Sequence, residues 1–288
     1  MEDGKGRAPG RGSPCETGSI SRVKRPLVLF CVLAAVATGG AQAITYGQPD
    51  GNGHPNTGAL VYFSPSRHEY RIICSGSLIA PQVFLTASHC TSFLEENGIS
   101  DVWVTFDSQF SQSSALYHGA MHTNPLYNQR QSDPEDIAVI TFASPINGVP
   151  LAQLPTAGLL DQMRTVGTLQ TARFTSVGYG DQESNGAGLN PSDPSLSGLK
   201  FPFTGERRFA VGKFWTLSDA WLRLDQNNAT GSGGTCFGDS GGPEFLGSSS
   251  LQVSITITGD SACRATNVDY RLDTPQARAF LDDYVTLP

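Results

Sequence analysis

Short runs of β-branched and aromatic residues, broken by clusters of Gly, Pro, Asn and Ser, set the pattern of this chain. Such runs at 59–63, 70–79, 102–106 and 136–142 predict strands, and 81–85 leads into a loop that carries His89. Ser144-Pro145-Ile146-Asn147-Gly148-Val149-Pro150 is turn-rich and predicts a crossing between two halves. Further strands are expected near 167–178, 207–214 and 220–224, and the stretch 181–205, dense in Gly, Ser, Pro and Asn, predicts a long surface loop. The tail changes period. Ala277, Phe280, Leu281 and Tyr284 repeat at helical spacing behind the cap signal Asp273-Thr274-Pro275, so a C-terminal helix is predicted.

With 288 residues the chain can bury one large core or two medium ones. Its 32 Gly, 18 Pro and 16% charged residues suit a turn-rich all-β protein. A net charge of −7 leaves no basic face, which argues against a nucleic-acid partner, and there is no phosphate-binding loop or zinc-finger spacing. The first 43 residues read separately. Arg22, Lys24 and Arg25 precede the apolar run from Leu27 to Ala37, and Ala41-Gln42-Ala43 follows, the layout of a cleavable export signal. The run is short for a membrane span, so a secreted protein is expected, with a membrane partner only if the signal stays uncleaved. Removing residues 1–43 takes six basic and three acidic residues, leaving 13 and 23. It also takes Cys15 and Cys31, leaving Cys74, Cys90, Cys236 and Cys263, an even number for an oxidising compartment. Four cysteines allow three pairings; a four-thiolate zinc site is the alternative, against which stands the lack of any CxxC pair.

Candidate chemistry centres on Gly234-Thr235-Cys236-Phe237-Gly238-Asp239-Ser240-Gly241-Gly242-Pro243. A serine among glycines predicts a tight turn that exposes the hydroxyl and lets backbone N–H groups converge beside it, as acyl transfer requires. Gly238 to Gly242 also satisfies the G-x-S-x-G elbow of α/β-hydrolases, but that fold needs its histidine after the serine. All five histidines, His54, His68, His89, His118 and His122, precede Ser240. His118 and His122 are four apart, yet Gly119 stands where a zinc protease needs Glu, so they are expected to be ordinary surface or strand residues.

Thr86-Ala87-Ser88-His89-Cys90, Asp136-Ile137-Ala138-Val139 and Gly238-Asp239-Ser240-Gly241-Gly242-Pro243 resemble the three signature segments of the chymotrypsin/trypsin-like serine peptidases, in that family's order. The resemblance implies two six-stranded antiparallel β-barrels with a C-terminal helix: residues 44–150 carrying His89 and Asp136, and 151–288 carrying Ser240. It implies Ser240 as nucleophile, His89 as general base, Asp136 as its orienting acid, and the N–H groups of Gly238 and Ser240 as oxyanion donors. With the cysteine spacing it favours Cys74–Cys90 and Cys236–Cys263 disulfides. No metal or cofactor is called for; the partners are a polypeptide substrate and, as a further class, a protein inhibitor.

Two finer expectations follow from the same resemblance. Cleavage after Ala43 would make Ile44 the first residue, and in this family a new N-terminal Ile pairs with the acid before the nucleophile, here Asp239. Thr45 and Tyr46 depart from the family's usual Val-Gly. The substrate pocket would be formed by Gly234 at its floor with Thr258, Gly259, Asp260 and Val268, which points to an uncharged or small residue before the scissile bond, with a basic one attracted by Asp260 as the alternative. Val177-Gly178-Tyr179-Gly180 resembles a family turn that usually carries Trp. Asn228-Ala229-Thr230 is a glycosylation sequon. The expected function is a secreted serine endopeptidase; the alternative is a catalytically silent homologue acting as a binding module.

Overall fold

The computed structural model describes residues 44–182 and 201–288. Six antiparallel strands, β2 (Thr57–Ser64), β3 (Glu69–Ala80), β4 (Val83–Thr86), β5 (Val102–Thr105), β6 (Tyr117–Thr123) and β7 (Ala138–Phe142), close into a barrel in the order β2-β3-β4-β7-β6-β5. A second set, β8 (Arg173–Gly178), β9 (Arg208–Leu217), β10 (Trp221–Asp225), β11 (Pro243–Leu246), β12 (Gln252–Gly259) and β13 (Thr266–Arg271), runs β8-β9-β10-β13-β12-β11 and closes where β11 returns to β8. The short β1 (Gln48–Pro49) adds to the edge of β9, so the first described residues lie on the second barrel.

The outer half of β3 explains how the barrels meet. Strands that face solvent alternate buried and exposed residues, but Cys74 to Ile79 are buried on both faces. Small residues make this feasible: a Cβ on Gly76 would come within 2.3 Å of the Leu85 carbonyl and 2.4 Å of the Phe84 ring. Ser77 Oγ donates to Gln252 Oε1 of the other barrel at 2.5 Å. A buried arginine fastens the same seam. Arg207 is fully buried, with Nε donating to Asp50 at 2.8 Å and the other nitrogens to the carbonyls of Gly51, Thr57 and Phe106 and to the Tyr179 hydroxyl. Burial works against the Asp50 charge, but bonds from His54 and Arg207 hold its acid down to about 2.

Three α-helices complete the described fold: α1 (Ser88–Glu96), α2 (Leu159–Thr165) and α3 (Pro275–Leu281). The last begins as expected, with Thr274 accepting from Ala277 N and Pro275 in the first turn. Ala277, Phe280 and Leu281 are buried, and Tyr284, just past the helix, meets His122 of β6 at 5.3 Å between ring centroids. Two local expectations are corrected. The segment carrying His89 is the first turn of α1, not a loop, and residues 167–172 form a turn and a short 3-10 helix, so β8 starts only at Arg173. His118 and His122 both lie on β6, and Asn228 opens an exposed 3-10 turn. Residues 1–43, expected to be an export signal, and most of the loop expected over 181–205 lie outside the described residues.

Candidate active site

His89 stands in the first turn of a helix that has no side-chain cap of its own, since Ala87 occupies the cap position. The missing acceptor comes from another strand. Asp136, just ahead of β7 and 1% exposed, takes the His89 backbone N–H on Oδ1 at 2.8 Å and lies 2.8 Å from His89 Nδ1 through Oδ2. One carboxylate thus satisfies an orphan helix N–H and orients the imidazole. Ser88 secures the pair, its hydroxyl donating to the Ile137 carbonyl at 2.7 Å and accepting from Asn124 N. Cys74 and Cys90 form a disulfide, and their sulfurs and a His89 ring nitrogen lie within 4.8 Å of one another. With both sulfurs bonded, that cluster offers no thiolate to a metal.

Ser240 belongs to the second barrel but is held by the first. Its carbonyl accepts from Ser75 N at 2.9 Å, while the Ser75 hydroxyl donates to the Gly238 carbonyl and accepts from Tyr179 N. Glycine is required here on two counts. Gly238 and Gly241 have φ of 94° and 78°, and a Cβ on Gly241 would lie 2.3 Å from Thr86 Oγ1. Among the described residues, the N–H groups of Gly238 and Ser240 donate to no protein acceptor, an arrangement suited to receiving an oxyanion. His89 and Ser240 line one cavity, and no hydrogen bond joins the ring to the hydroxyl.

Asp239 is fully buried, accepting from Gly180 N at 2.8 Å and Cys236 N at 2.9 Å. A Cβ on Gly178 or Gly180 would reach its carboxylate at 2.2 Å or 2.6 Å, so the Gly-Tyr-Gly turn is what admits the acid. Burial pushes this acid from 3.8 to about 7, with Asp181 adding to the rise, and no ion pair reaches it among the described residues. Ile44 is buried too, and the next residue, Thr45, bridges to Gly234.

A cavity of about 360 Å³ opens beside Ser240, walled by Thr235, Cys236, Phe237 and the end of β12 from Thr256 to Asp260. Cys263 closes it, bonded to Cys236. Thr258, Gly259 and Asp260 are therefore brought beside Ser240; Gly234 and Val268 do not line this cavity. Gly234 instead backs onto Gln226, whose Oε1 a Cβ would meet at 2.3 Å. Gln226 is buried, accepts from Thr235 N and donates to Asp260. The Asp260 carboxylate is taken up by its own loop: despite partial burial, donors at Thr266, Ala265, Arg264 and Gln226 lower its acid.

Sequence reasoning missed the layer behind this wall. Thr235 donates to Asn267, Asn267 donates to Glu244 at 2.7 Å, and Glu244 also accepts from Ser176 and Thr256. Asp269 lies beside Glu244, fully buried, with both carboxylate oxygens lacking a hydrogen-bond partner. Desolvation raises both acids, Glu244 to about 8 with the Asp239 charge adding to its rise, and Asp269 well above the usual carboxylate range with the Glu244 charge adding to its rise.

A fold of two closed barrels, with a serine turn on one and an acid-oriented imidazole on the other, is that of the two-barrel serine endopeptidases. The trypsin family model matches residues 47–279, and the chain belongs to that family. Brachyurin of Leptuca pugilator is 29% identical over 215 residues, covering 71% of this chain and 87% of that protein. The solved structure of HL collagenase superposes with a TM-score of 0.63 at 17% identity, over 85% of this chain and 100% of that one, a likeness of fold.

Proposed function

We propose that this chain is a secreted endopeptidase in which Ser240, His89 and Asp136 cleave peptide bonds through an acyl-enzyme. The observation that carries the proposal is the double hold of Asp136 on His89. With Nδ1 and the backbone N–H both bound, the other ring nitrogen is left to take the Ser240 proton within the cavity the two residues share. The proton then passes to the leaving amine, and water repeats the sequence on the ester. The developing oxyanion is received by the N–H groups of Gly238 and Ser240. The His89–Ser240 contact is of the kind that tightens on forming the Michaelis complex.

Export supplies the final part. Cleavage after Ala43 frees the Ile44 ammonium, and its pairing with Asp239 provides the cation that this buried acid lacks. The pocket beside Gly259 takes an uncharged residue, because Asp260 is occupied by its own loop and burial disfavours the charged forms of Glu244 and Asp269 behind the wall. An inhibitory protein would present its loop to the same cavity. A fluorophosphonate probe tests the reading: labelling of the mature chain, lost in Ser240→Ala, together with cleavage of peptides. A folded mature chain that neither labels nor cleaves is a silent binding homologue instead.

A further inference from the structure

A second cavity, of about 430 Å³, opens on the other side of Phe237 from the one that receives the acyl-side residue. Gly238 lies at its edge, and Tyr70, Phe110, Phe203 and Phe237 supply aromatic faces. Phe203 and Phe237 are 52% and 48% exposed, which is unusual for such large apolar side chains, and Phe201 meets Phe237 edge-on at 5.2 Å. Three charged residues line it as well, Glu69, Arg71 and Asp181; Glu69 and Arg71 pair with each other, whereas among the described residues no cation or hydrogen-bond donor engages the Asp181 carboxylate.

An extended peptide turns alternate side chains to opposite sides. The residue before the scissile bond enters the cavity beside Gly259, and the next faces the Cys74–Cys90 disulfide. The one after that returns to the first side, past Phe237, where the second cavity opens. We infer that this cavity selects a cationic side chain, arginine or lysine, at the second residue after the scissile bond, with its stem on the aromatic faces and its charge against Asp181. Aromatic rings attract a desolvated cation through their faces, and the Asp181 carboxylate, the one without an ion-pair partner among the described lining residues, supplies a countercharge. The inference rests on the peptidase reading above.

The charged and titratable groups of the walling segments are consistent with one unmatched negative charge. From β3, Glu69 and Arg71 pair with each other at 2.9 Å beside Tyr70. Glu206 pairs with Arg208, Asp107 accepts from Ala115 N, and Asp239 lies behind the turn. Desolvation raises Asp181 from 3.8 to about 7, so the countercharge develops as the pH rises through neutrality.

The test uses quenched peptides with one acyl half and Arg, Lys, citrulline, Leu or Glu at the second leaving-side position, cleaved by the mature chain. Citrulline keeps the shape of arginine without its charge. The expected kcat/KM for Arg is about tenfold that for citrulline near pH 8. That ratio falls toward one near pH 5.5, and in Asp181→Asn it stays close to one at every pH. The pH profile needs no variant, so poor folding of Asp181→Asn does not blunt the test. Equal cleavage of the Arg and citrulline peptides at all pH values overturns the inference and leaves the peptidase reading standing. A chain that cleaves none of the peptides and does not label at Ser240 overturns both.

Discussion

Retaining one residue ahead of Ile44 should cripple the enzyme, and the structure sets the scale. Without a cation, burial raises the Asp239 acid from 3.8 to about 7. At 1.36 kcal/mol per tenfold, that corresponds to a ceiling of roughly 4 kcal/mol for holding the carboxylate ionised in its pocket. A free Ile44 ammonium offsets most of this but loses some of its own hydration, so about 2–4 kcal/mol is available to lock the turn that carries Gly238 and Ser240. If activity follows the locked population, a chain starting at Ala43 should show kcat/KM lower by about 30- to 1000-fold than one starting at Ile44. The two chains would be released from fusions cut at the two positions, then compared on one peptide and by the fraction labelled with fluorophosphonate. The sign with pH also follows. An α-ammonium gaining a carboxylate partner has a folded pKa above its ordinary value near 8, so the locked state persists below that value and is lost as the pH rises through the raised one. If the Ala43 chain were within about twofold of the Ile44 chain, or both kept full activity well into the alkaline range, the ion-pair reasoning would be refuted.

Three further outcomes are expected. Asp136→Asn should lower kcat by about 10⁴, the factor known from this family's best-studied triad, because the amide cannot hold Nδ1 as a donor; steady-state kinetics on a peptide substrate checks it. In the inactive Ser240→Ala background, stability should be greatest near the ordinary carboxylate range, about pH 4.5, and fall as the pH rises through about 8, where the buried Glu244 is forced to ionise beside Asp269, whose acid is also raised. Adding Asp269→Asn should flatten that slope, and melting curves that are flat or rise over this range in the parent chain would contradict it. Gly234→Asp should not create a preference for basic residues. Its Cβ would meet Gln226 Oε1 at 2.3 Å, so the variant should melt lower and keep its selectivity, as thermal melts and a peptide library would reveal.

Strands β2, β3, β5, β7, β9 and β10 and helix α3 were legible because their signals are local: β-branched and aromatic runs, turn residues, and a capping threonine before a proline; β6, β11, β12 and β13 were not read as strands. The start of α1 was not, since its cap is a carboxylate 47 residues along the chain, and nothing beside Ala87 announces a helix. Helix α2 fails the local test in the same way. Its cap position is Gly158 in the left-handed region, and Leu160 N is satisfied by Asp273, 113 residues away. Residues 167–172 then resisted because Gly167, with φ of 80°, ends that helix in a turn rather than opening a strand.

The second barrel shows a more general limit. Period-two alternation tells which residues of a strand share a face, but assigning the inner face relies on apolar residues pointing inward. In β13 that assumption points the wrong way: Asn267 and Asp269 are fully buried while Val268 between them is half-buried. The resemblance named Val268 as a pocket residue, whereas Asn267 is the one bonded to the cavity wall through Thr235. Glu244 on β11 and Ser176 on β8 also point inward, and each is intelligible only with the others, since an isolated buried carboxylate would be severely destabilising. A network of this kind has no signature within any one strand. Its members lie on four neighbouring strands, β8, β11, β12 and β13, and only the pairing of those strands in the sheet brings Ser176, Glu244, Thr256 and Asp269 together behind the Ser240 turn. The charge state of this wall is thus a property of the assembled sheet, and on the proposed reading, in which the wall borders the substrate pocket, substrate preference was the part of the function least accessible from the sequence.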